Sequence, residues 1–421
     1  MTTATPAPTQ PTPDHRPTPD HRPGPGHRPK PGHRPTPRQL VRACGGPRYA
    51  LALAVDALGT GLLRPFLLLY GITVLGLSAS ATGLAMTVGI VAGLACLPPL
   101  GRWLDRGARS TAVAASMLVR VTGVLVLLAA PAGDVPLFTL AALLLGIGNQ
   151  SWPAAHAALV ATVSTGRLRD AALAAGRSVR NAGLGVGALL ATAAVSGGPS
   201  AMRVLAVASG AGYLAAGLLA WSVRIAADPT HRQAADAGPA PRMGSLLLAN
   251  VVYVFCLNVP EIAVPLVLVT QLHASPVWAA VVFVANTVLV VALQVPVTTW
   301  TARWSRGTVL AASGVVLAAS YLGFLFAAEF GPAAVALVSV PCTLGEILYA
   351  GSATALVTAL APPTLLGRAL ARFQLSTGLG LAVSPAAITT LAAQSPTTLW
   401  TTLAAATATA SATVWPTRTR A

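Results

Sequence analysis

From Arg48 onward, long apolar runs alternate with short polar breaks. Each run has the length of about 20 residues that an α-helix needs to cross the hydrocarbon core of a bilayer. The predicted spans are 49–71, 80–100, 111–130, 136–163, 174–196, 201–223, 244–271, 277–299, 307–327, 332–360, 370–393 and 398–415. Twelve such helices in succession leave nothing polar to enclose them. The pattern therefore predicts an all-α integral membrane protein with twelve transmembrane helices.

The charge content agrees with this prediction. Charged residues make up 9% of the chain and apolar residues 54%, whereas an average soluble domain carries about 25% charged residues. So few charges do not cover the surface of a water-soluble protein of this size. The composition therefore excludes an ordinary soluble enzyme.

Residues 1–43 differ from the rest because proline, histidine and arginine dominate them. The tripeptide His-Arg-Pro recurs every six residues, starting at His15, His21, His27 and His33. Proline at this density favours an extended chain and prevents a packed core, so we predict a disordered cytoplasmic tail. Attraction of its basic residues to anionic lipid and metal binding by the histidines are the alternatives.

The net charge of +16 comes largely from arginines in alternate breaks between the spans. One side holds most of them, including Arg167 and Arg169 with Arg177 and Arg180 just beyond, while the other side holds only Asp134, Arg203 and Glu329. Such asymmetry places the arginine-rich breaks in the cytoplasm. We therefore expect a multi-pass protein of the inner (cytoplasmic) cell membrane with both termini cytoplasmic. The positive charge is then a topology signal, and nucleic acid is not expected as a partner.

The two halves of the chain align without gaps at an offset of 197 residues. Residues 99–116 and 296–313 share eight identities in eighteen positions, among them Trp103 with Trp300 and Arg109 with Arg306. Two six-helix repeats are typical of transporters whose substrate site lies between the repeats near the middle of the membrane. The repeat predicts an N-terminal six-helix bundle at 44–226, a central cytoplasmic loop at 227–242 and a C-terminal six-helix bundle at 243–421.

The loop after the second span, Gly101-Arg102-Trp103-Leu104-Asp105-Arg106-Gly107-Ala108-Arg109, resembles a known signature. This is the Gly-x-x-x-Asp-Arg-x-Gly-Arg sequence of the major facilitator superfamily, with glycine at 107 instead of 108. The stretch from Asp56 to Pro65 is similar to the first helix of that family, and Leu344-Gly345-Glu346 is similar to its drug-efflux branch. The resemblance implies two pseudo-symmetric six-helix bundles that open a central site to each side of the membrane in turn.

By the same resemblance, Gly101, Asp105, Arg106 and Arg109 belong to a gate that closes the cytoplasmic side. Asp105 stands at a helix end, where its carboxylate is well placed to accept hydrogen bonds from the N-terminus of a neighbouring helix. Arg106 and Arg109 are placed to bridge to acids or carbonyl oxygens on the same surface. Simple anchoring of the arginines on the cytoplasmic side is the alternative. In the second half, Ala302 occupies the acid position.

Apart from arginines assigned to the ends of spans, five charged residues fall inside predicted spans, namely Asp56, Arg64, Arg120, Glu261 and Glu346. Each opposes insertion by about 2.5–3.5 kcal/mol at a helix centre, so such residues normally face a water-filled cavity and serve function. Glu346, and after it Asp56, is the candidate for the carboxyl that loads and releases a coupling proton. The 197-residue offset maps Arg64 onto Glu261, and we predict that the two pair across the cavity. Buried pairs that only fix helix register are the alternative.

Neutral polar and aromatic side chains of other spans are expected to line the same cavity. They are Asn149, Gln150, Asn181, Asn250, Asn258, Asn286, Gln294, Trp152, Tyr253, Phe255 and Tyr349. Hydrogen bonding between helices is the alternative role for each of the polar side chains. We include Asn149 and Asn258 in the candidate site.

Together these features predict a secondary transporter that exports small, partly apolar molecules in exchange for protons. Import of a nutrient by a proton symporter or a facilitator is the alternative. A membrane receptor or enzyme is disfavoured because the chain has no His/Glu metal motif, no phosphate-binding loop and no nucleophile elbow. We expect no catalytic residue, no metal and no cofactor. The expected partners are a small-molecule substrate, protons and the lipid bilayer, with the chain acting as a monomer.

Overall fold

The computed structural model describes residues 35–226, 243–275 and 277–415, and these residues are largely helical. The α-helices are α1 (Pro37–Ala43), α2 (Pro47–Leu63), α3 (Leu67–Thr73), α4 (Ala79–Ala95), α5 (Leu97–Asp105), α6 (Ser110–Ala129), α7 (Val135–Val163), α8 (Gly166–Val195), α9 (Gly198–Ser222), α10 (Gly244–Tyr253), α11 (Val264–Thr270), α12 (Val277–Thr301), α13 (Arg306–Ala327), α14 (Pro332–Leu360), α15 (Leu366–Gln394) and α16 (Pro396–Val414). Short 3₁₀ turns lie at Arg64–Phe66, Val254–Leu257, Ala328–Phe330 and Pro363–Leu365, and a π-helical turn at Val259–Ala263.

Proline or a capping side chain marks the start of many of these helices. Asp134 precedes α7, and its carboxylate accepts a hydrogen bond from the Leu137 amide at 2.8 Å. Ser305 and Ser395 cap α13 and α16 in the same way. Pro47 begins α2, at a position where the missing amide proton removes no intrahelical bond. Local sequence therefore explains where the spans begin.

Eleven of the described helical segments are long and apolar enough to cross a membrane, and they coincide with the first eleven predicted spans. The largest difference is at α8, which begins at Gly166 where the sequence predicts a start near residue 174. The twelfth predicted span, α16, has 19 residues and is rich in threonine and alanine, so it falls below the hydropathy of the others. It packs against α10 and α13 and so completes the bundle. The predicted all-α membrane fold is confirmed.

The helices follow the repeat of the sequence. In the first half α2 packs against α8 and α9, and α6 packs against α7 and α9; in the second half α13 packs against α14 and α16. Corresponding helices begin 197 residues apart, as Pro47 and Gly244 show for α2 and α10, and Val135 and Pro332 for α7 and α14. Contacts of α5 and α7 with α15, and of α8 with α12 and α14, join the two halves.

The first and seventh spans are broken at matching positions. Pro65 lies in the 3₁₀ turn Arg64–Phe66 that separates α2 from α3, because proline has no amide proton to continue the helical ladder. The π-helical turn Val259–Ala263 interrupts the seventh span. Arg64 and Glu261, which the 197-residue offset equates, stand in these two turns. Arg64 and Glu261 therefore occupy equivalent places in the two halves.

The predicted disordered tail includes residues 37–43, and these residues are helical. Residues 37–43 form α1, because the Thr36 hydroxyl accepts a hydrogen bond from the Gln39 amide while the Gln39 side chain accepts one from the Thr36 amide. This reciprocal cap is a common helix start. The His-Arg-Pro repeat in residues 1–34, the central loop at 227–242 and residues 416–421 lie outside the described residues.

Candidate functional site: charged residues between the two halves

Asp56 and Arg120 form an ion pair near the middle of α2 and α6. The Arg120 Nη2 atom lies 2.5 Å from Asp56 Oδ1, and both side chains are fully buried. Arg120 also donates to the Thr60 hydroxyl and to the Ser116 carbonyl oxygen, both at 3.2 Å. Its guanidinium lies over the Tyr213 ring, 4.4 Å from the ring centroid. Since further hydrogen bonds satisfy the buried cation, this pair is compensated within the first half.

Two arginines of α8 belong to the same cluster. Because α8 begins at Gly166, Arg177 lies about 16 Å along the helix at 1.5 Å per residue, and Arg180 lies one turn further. The Arg180 Nη1 atom is 3.4 Å from Asp56 Oδ2, and its guanidinium is 4.1 Å from the centroid of the Trp152 ring. The arginine pattern had assigned both residues to the cytoplasmic flank of the span. Their spacing of three residues, which puts both on one helix face, was the available signal.

Glu346 is the carboxylate that the second half contributes to this cluster. Its Oε2 atom accepts a hydrogen bond from the side-chain Nδ2 atom of Asn286 at 2.9 Å, and its Oε1 atom lies 3.6 Å from the Arg177 Nη2 atom. The side chain also borders a small cavity lined in part by Thr343 and Cys342. Because Arg177 is in α8 and Glu346 in α14, this ion pair joins the two halves near the middle of both helices.

Arg64 and Glu261 do not form the predicted ion pair. Both residues are exposed, and no ion pair within 4 Å joins them in the part of the chain that the structure describes. The symmetry argument assumed straight helices, whereas each residue stands in a helix break.

The two asparagines of the candidate site have different surroundings. Asn149 Oδ1 accepts a hydrogen bond from Arg120 Nη1 at 3.5 Å, which places it at the charged cluster. Asn258 donates to the Ser384 hydroxyl at 2.5 Å, and this bond ties the broken seventh span to α15. Asn258 therefore fits the alternative role of hydrogen bonding between helices.

A second group of charges joins the halves at one end of the bundle. We call it the arginine-rich end, after Arg102, Arg106, Arg109, Arg306 and Arg368. There the Asp105 carboxylate accepts hydrogen bonds from the Gly367 amide at 2.6 Å and from the Arg368 Nε atom at 2.8 Å. Both donors are in the first turn of α15, whose unpaired amides and dipole favour a negative charge. The structure thus gives Asp105 the helix N-terminus that its sequence position suggested.

The neighbouring residues of the loop differ from one another. Arg109 is buried and donates to the Leu104 carbonyl at 2.6 Å and to the Thr162 hydroxyl at 2.9 Å, and this burial lowers the pKa of its guanidinium. Arg106 is exposed. Gly107 has a φ of 105°, a backbone conformation that glycine adopts without strain. This turn explains why glycine stands at 107 in the loop.

Gly101 lets α5 and α15 approach each other beside this contact. A Cβ atom at Gly101 would lie 3.0 Å from the Cα atom of Arg368 and 2.9 Å from the Cβ atom of Ala371. Such separations are too short for carbon atoms in contact. Glycine at this position is therefore part of what brings Asp105 to the start of α15.

Arg306 makes a corresponding contact for the loop of the second half. Its Nε and Nη2 atoms lie 2.9 Å and 2.8 Å from Asp170 Oδ2. Asp170 is close to the start of α8, at the position that the 197-residue offset equates with Gly367. No motif marked Asp170 in the sequence, and its correspondence to Gly367 in the repeat was the only signal.

The sequence profile of the Major Facilitator Superfamily matches residues 49–385. No curated protein matches the chain. Among solved structures, the human organic anion transporter MFSD10 (TETRAN) has a TM-score of 0.69 and 14% identity, over 90% of this chain and 100% of that one. A bacterial homologue of the iron transporter ferroportin, in an outward-facing state, has a TM-score of 0.69 and 12% identity, over 88% of this chain and 99% of that one. The proton:xylose symporter XylE has a TM-score of 0.67 and 13% identity, over 90% of this chain and 96% of that one.

Identities this low show the shared fold alone. The profile match, by contrast, covers most of the chain and includes every residue of the charged contacts described above. The helical repeat, the broken first and seventh spans and the Asp105 loop agree with that match. The protein is accordingly a multi-pass membrane transporter of a small-molecule substrate and not an enzyme. It belongs to the major facilitator superfamily.

Proposed function

We propose that this transporter couples substrate movement to protons and that Glu346 carries the proton. The observation that supports this is the contact of 3.6 Å between Glu346 in α14 and Arg177 in α8. A proton bound to Glu346 removes the charge that attracts Arg177, so that loading the proton weakens a contact between the halves. Alternating access requires such a link between a binding event and the arrangement of the halves.

Asp56 is the second carboxyl considered as the proton carrier, but its surroundings suit a structural role. Its partner Arg120 is 2.5 Å away and fully buried. Protonating Asp56 would leave that guanidinium without its counter-ion, and breaking a buried pair costs about 3–5 kcal/mol. The contact of Glu346 with Arg177 is longer and lies beside a cavity, so Glu346 gains a proton at lower cost.

The orientation and the closed state are part of the proposal. The arginine-rich end faces the cytoplasm, because positively charged loops are retained there, and the protein acts as a monomer in the inner cell membrane. In this orientation Asp105 and Asp170 close the cytoplasmic side. Arg64 and Glu261, in the two helix breaks, line the path of the substrate.

Two directions of transport are compatible with a proton on Glu346. Export in exchange for protons, with a small and partly apolar substrate, is supported by the similarity of Leu344-Gly345-Glu346 to the drug-efflux branch. Import together with protons is the second candidate, because a protonated Glu346 releases Arg177 for another ligand. The proton:xylose symporter XylE has the same fold.

Proteoliposomes with a pH-sensitive dye inside test the proposal. A pH gradient of either sign is imposed, and the movement of protons is measured together with that of each compound in a panel. We expect Glu346→Gln to lose transport that is driven by the pH gradient. It should still allow the substrate to move down the gradient of the substrate itself. Glu329→Gln, an exposed acid outside the cluster, is the matched control. Full gradient-driven transport by Glu346→Gln would refute the role of Glu346, and the sign of the coupling decides between export and import.

A further inference from the structure

Near the middle of the described helices, arginines outnumber carboxylates. The arginines are Arg64, Arg120, Arg177 and Arg180, and the carboxylates are Asp56, Glu261 and Glu346. Asp56 neutralises Arg120, Glu346 lies against Arg177, and the exposed Arg64 and Glu261 carry opposite charges. Arg180, unlike the exposed Arg64, is a half-buried cation, and it remains without a carboxylate of its own.

Arg180 is loosely held by the protein. Arg120 already occupies one oxygen of Asp56 at 2.5 Å, and Arg180 reaches the other oxygen only at 3.4 Å. Trp152 supports one face of the guanidinium, and 17% of the side chain is exposed. A guanidinium has five N–H donors, of which one has a hydrogen-bond partner among the described residues. The other donors of Arg180 are available to a ligand.

Arg177 presents a second guanidinium one turn earlier on the same helix face. Its contact with Glu346 is 3.6 Å long and 31% of its side chain is exposed, while its buried Nε atom has no partner among the described residues. Side chains three residues apart on a helix have Cβ atoms about 5–6 Å apart. One acidic group with two oxygens is therefore able to reach both arginines.

An uncompensated cation inside a membrane protein is unfavourable unless an anion accompanies it. We propose that Arg177 and Arg180 bind one ionised carboxylate of the substrate, so that the transported compounds are monocarboxylic acids. The two oxygens of a carboxylate match the paired N–H groups of guanidinium, and one negative charge balances the excess. The inference rests on the proposed function.

The test measures uptake by proteoliposomes of the full chain, corrected for protein-free liposomes. The probes are the monocarboxylates phenylacetate and pyruvate, their neutral amides phenylacetamide and pyruvamide, the cation phenethylamine, which keeps the phenyl group of phenylacetate, and the dianion succinate. We expect one or both monocarboxylates to enter at least tenfold faster than the matching amide, the amine or succinate. Transport of the amides or the amine at the rate of the acids, or no transport of either acid, overturns the inference.

Variants separate binding from folding. Arg180→Gln and Arg177→Gln should each lower the ratio of acid to amide uptake about tenfold, and Arg180→Lys should restore part of it. A merely structural role would lower the uptake of acid and amide alike. Arg303→Gln is the matched control, since Arg303 also stacks on a tryptophan, at 4.9 Å from the Trp300 ring centroid, but lies outside the cluster. An unchanged ratio in both α8 variants overturns the inference.

The same measurements keep the two proposals apart. Proton-driven transport of phenylacetamide or phenethylamine, without transport of the acids, leaves the proposed proton coupling standing and refutes acid binding by Arg177 and Arg180. Acid transport with an unchanged proton dependence in Glu346→Gln supports acid binding and refutes the role of Glu346.

Discussion

Arg306 directs two N–H groups at one oxygen of Asp170, with its Nε atom at 2.9 Å and its Nη2 atom at 2.8 Å. In the repeat, Asp170 corresponds to Gly367, and Ala302 corresponds to Asp105. The acid that the second loop lacks at Ala302 therefore stands on the helix that this loop contacts. Both loops consequently hold the opposite half through an acid and an arginine, although only the first loop has kept its own acid.

Asp170→Asn should loosen the closed arrangement at the arginine-rich end. A hydrogen bond to a charged group contributes about 1.5–3 kcal/mol, so we expect the ratio of closed to open molecules to fall roughly tenfold or more. Spin labels at the exposed Trp103 and Trp304 positions, one in each half, report the change as longer distances between the labels. Asp134→Asn is the control, because Asp134 only caps its own helix. Equal distances in the two variants would contradict the role of Asp170.

Asp105→Asn should slow transport about tenfold, because a neutral amide is a weaker acceptor for the α15 amides than a carboxylate is. The initial rate of gradient-driven transport in proteoliposomes measures this. A charge exchange, Asp105→Arg with Arg368→Asp, should not restore the rate, since the Gly367 amide is only a donor. Recovery in the exchanged protein would mean that the ion pair matters and the helix N-terminus does not.

Asp56→Asn should destabilise the protein by about 3–5 kcal/mol, because it leaves the buried Arg120 guanidinium without its counter-ion. The double variant Asp56→Asn with Arg120→Gln should regain most of this loss, because the fully buried cation that Asp56 neutralises is then removed as well. Unfolding of the purified protein in detergent measures the three free energies, with Glu329→Gln as control. If the single and double variants lose equal stability, the pair is not the cause.

Cys44 should be protected from alkylation over the neutral and mildly alkaline range. Burial raises the pKa of its thiol from 9.0 to about 11, and the thiol donates a hydrogen bond to the Ala172 carbonyl at 3.4 Å. Since the thiolate is the reactive form, the folded chain at pH 8 holds roughly a hundredfold less of it than the unfolded chain.

Maleimide labelling of a variant that keeps Cys44 alone, before and after unfolding in detergent, checks this expectation. A cysteine placed at the exposed Arg102 position is the control and should label quickly in both states. Equal labelling of folded and unfolded Cys44 would show that the thiol is accessible.

The helices and their repeat could be predicted from the sequence because each span must satisfy its own backbone and be apolar along its length. That requirement is local and does not depend on the neighbours of a helix. The start of α8 was misplaced for the same reason: Arg167, Arg169 and Asp170 lower the hydropathy of its first turns, although they do not prevent a helix. Arg177 and Arg180 consequently seemed to lie at its end instead of near its middle.

The partners of the charged residues depend on how helices from distant parts of the chain meet. The partner of Asp105 was the exception. A carboxylate at a helix end is favourably placed beside the N-terminus of a neighbouring helix, so this partner could be predicted. Symmetry suggested Arg64 for Glu261, but both residues stand in helix breaks and are exposed. The pairs Asp56–Arg120 and Glu346–Arg177 required the three-dimensional packing of four helices.

The position of Asp170 makes the two halves complementary but not interchangeable. A protein assembled from two first halves would set Asp105 against Asp170, so that two acids would meet where the native chain has an acid and a helix N-terminus. One assembled from two second halves would set Ala302 against Gly367 and leave Arg306 with no acid to bind. Despite their common architecture, the two halves contribute different residues to the contacts that join them.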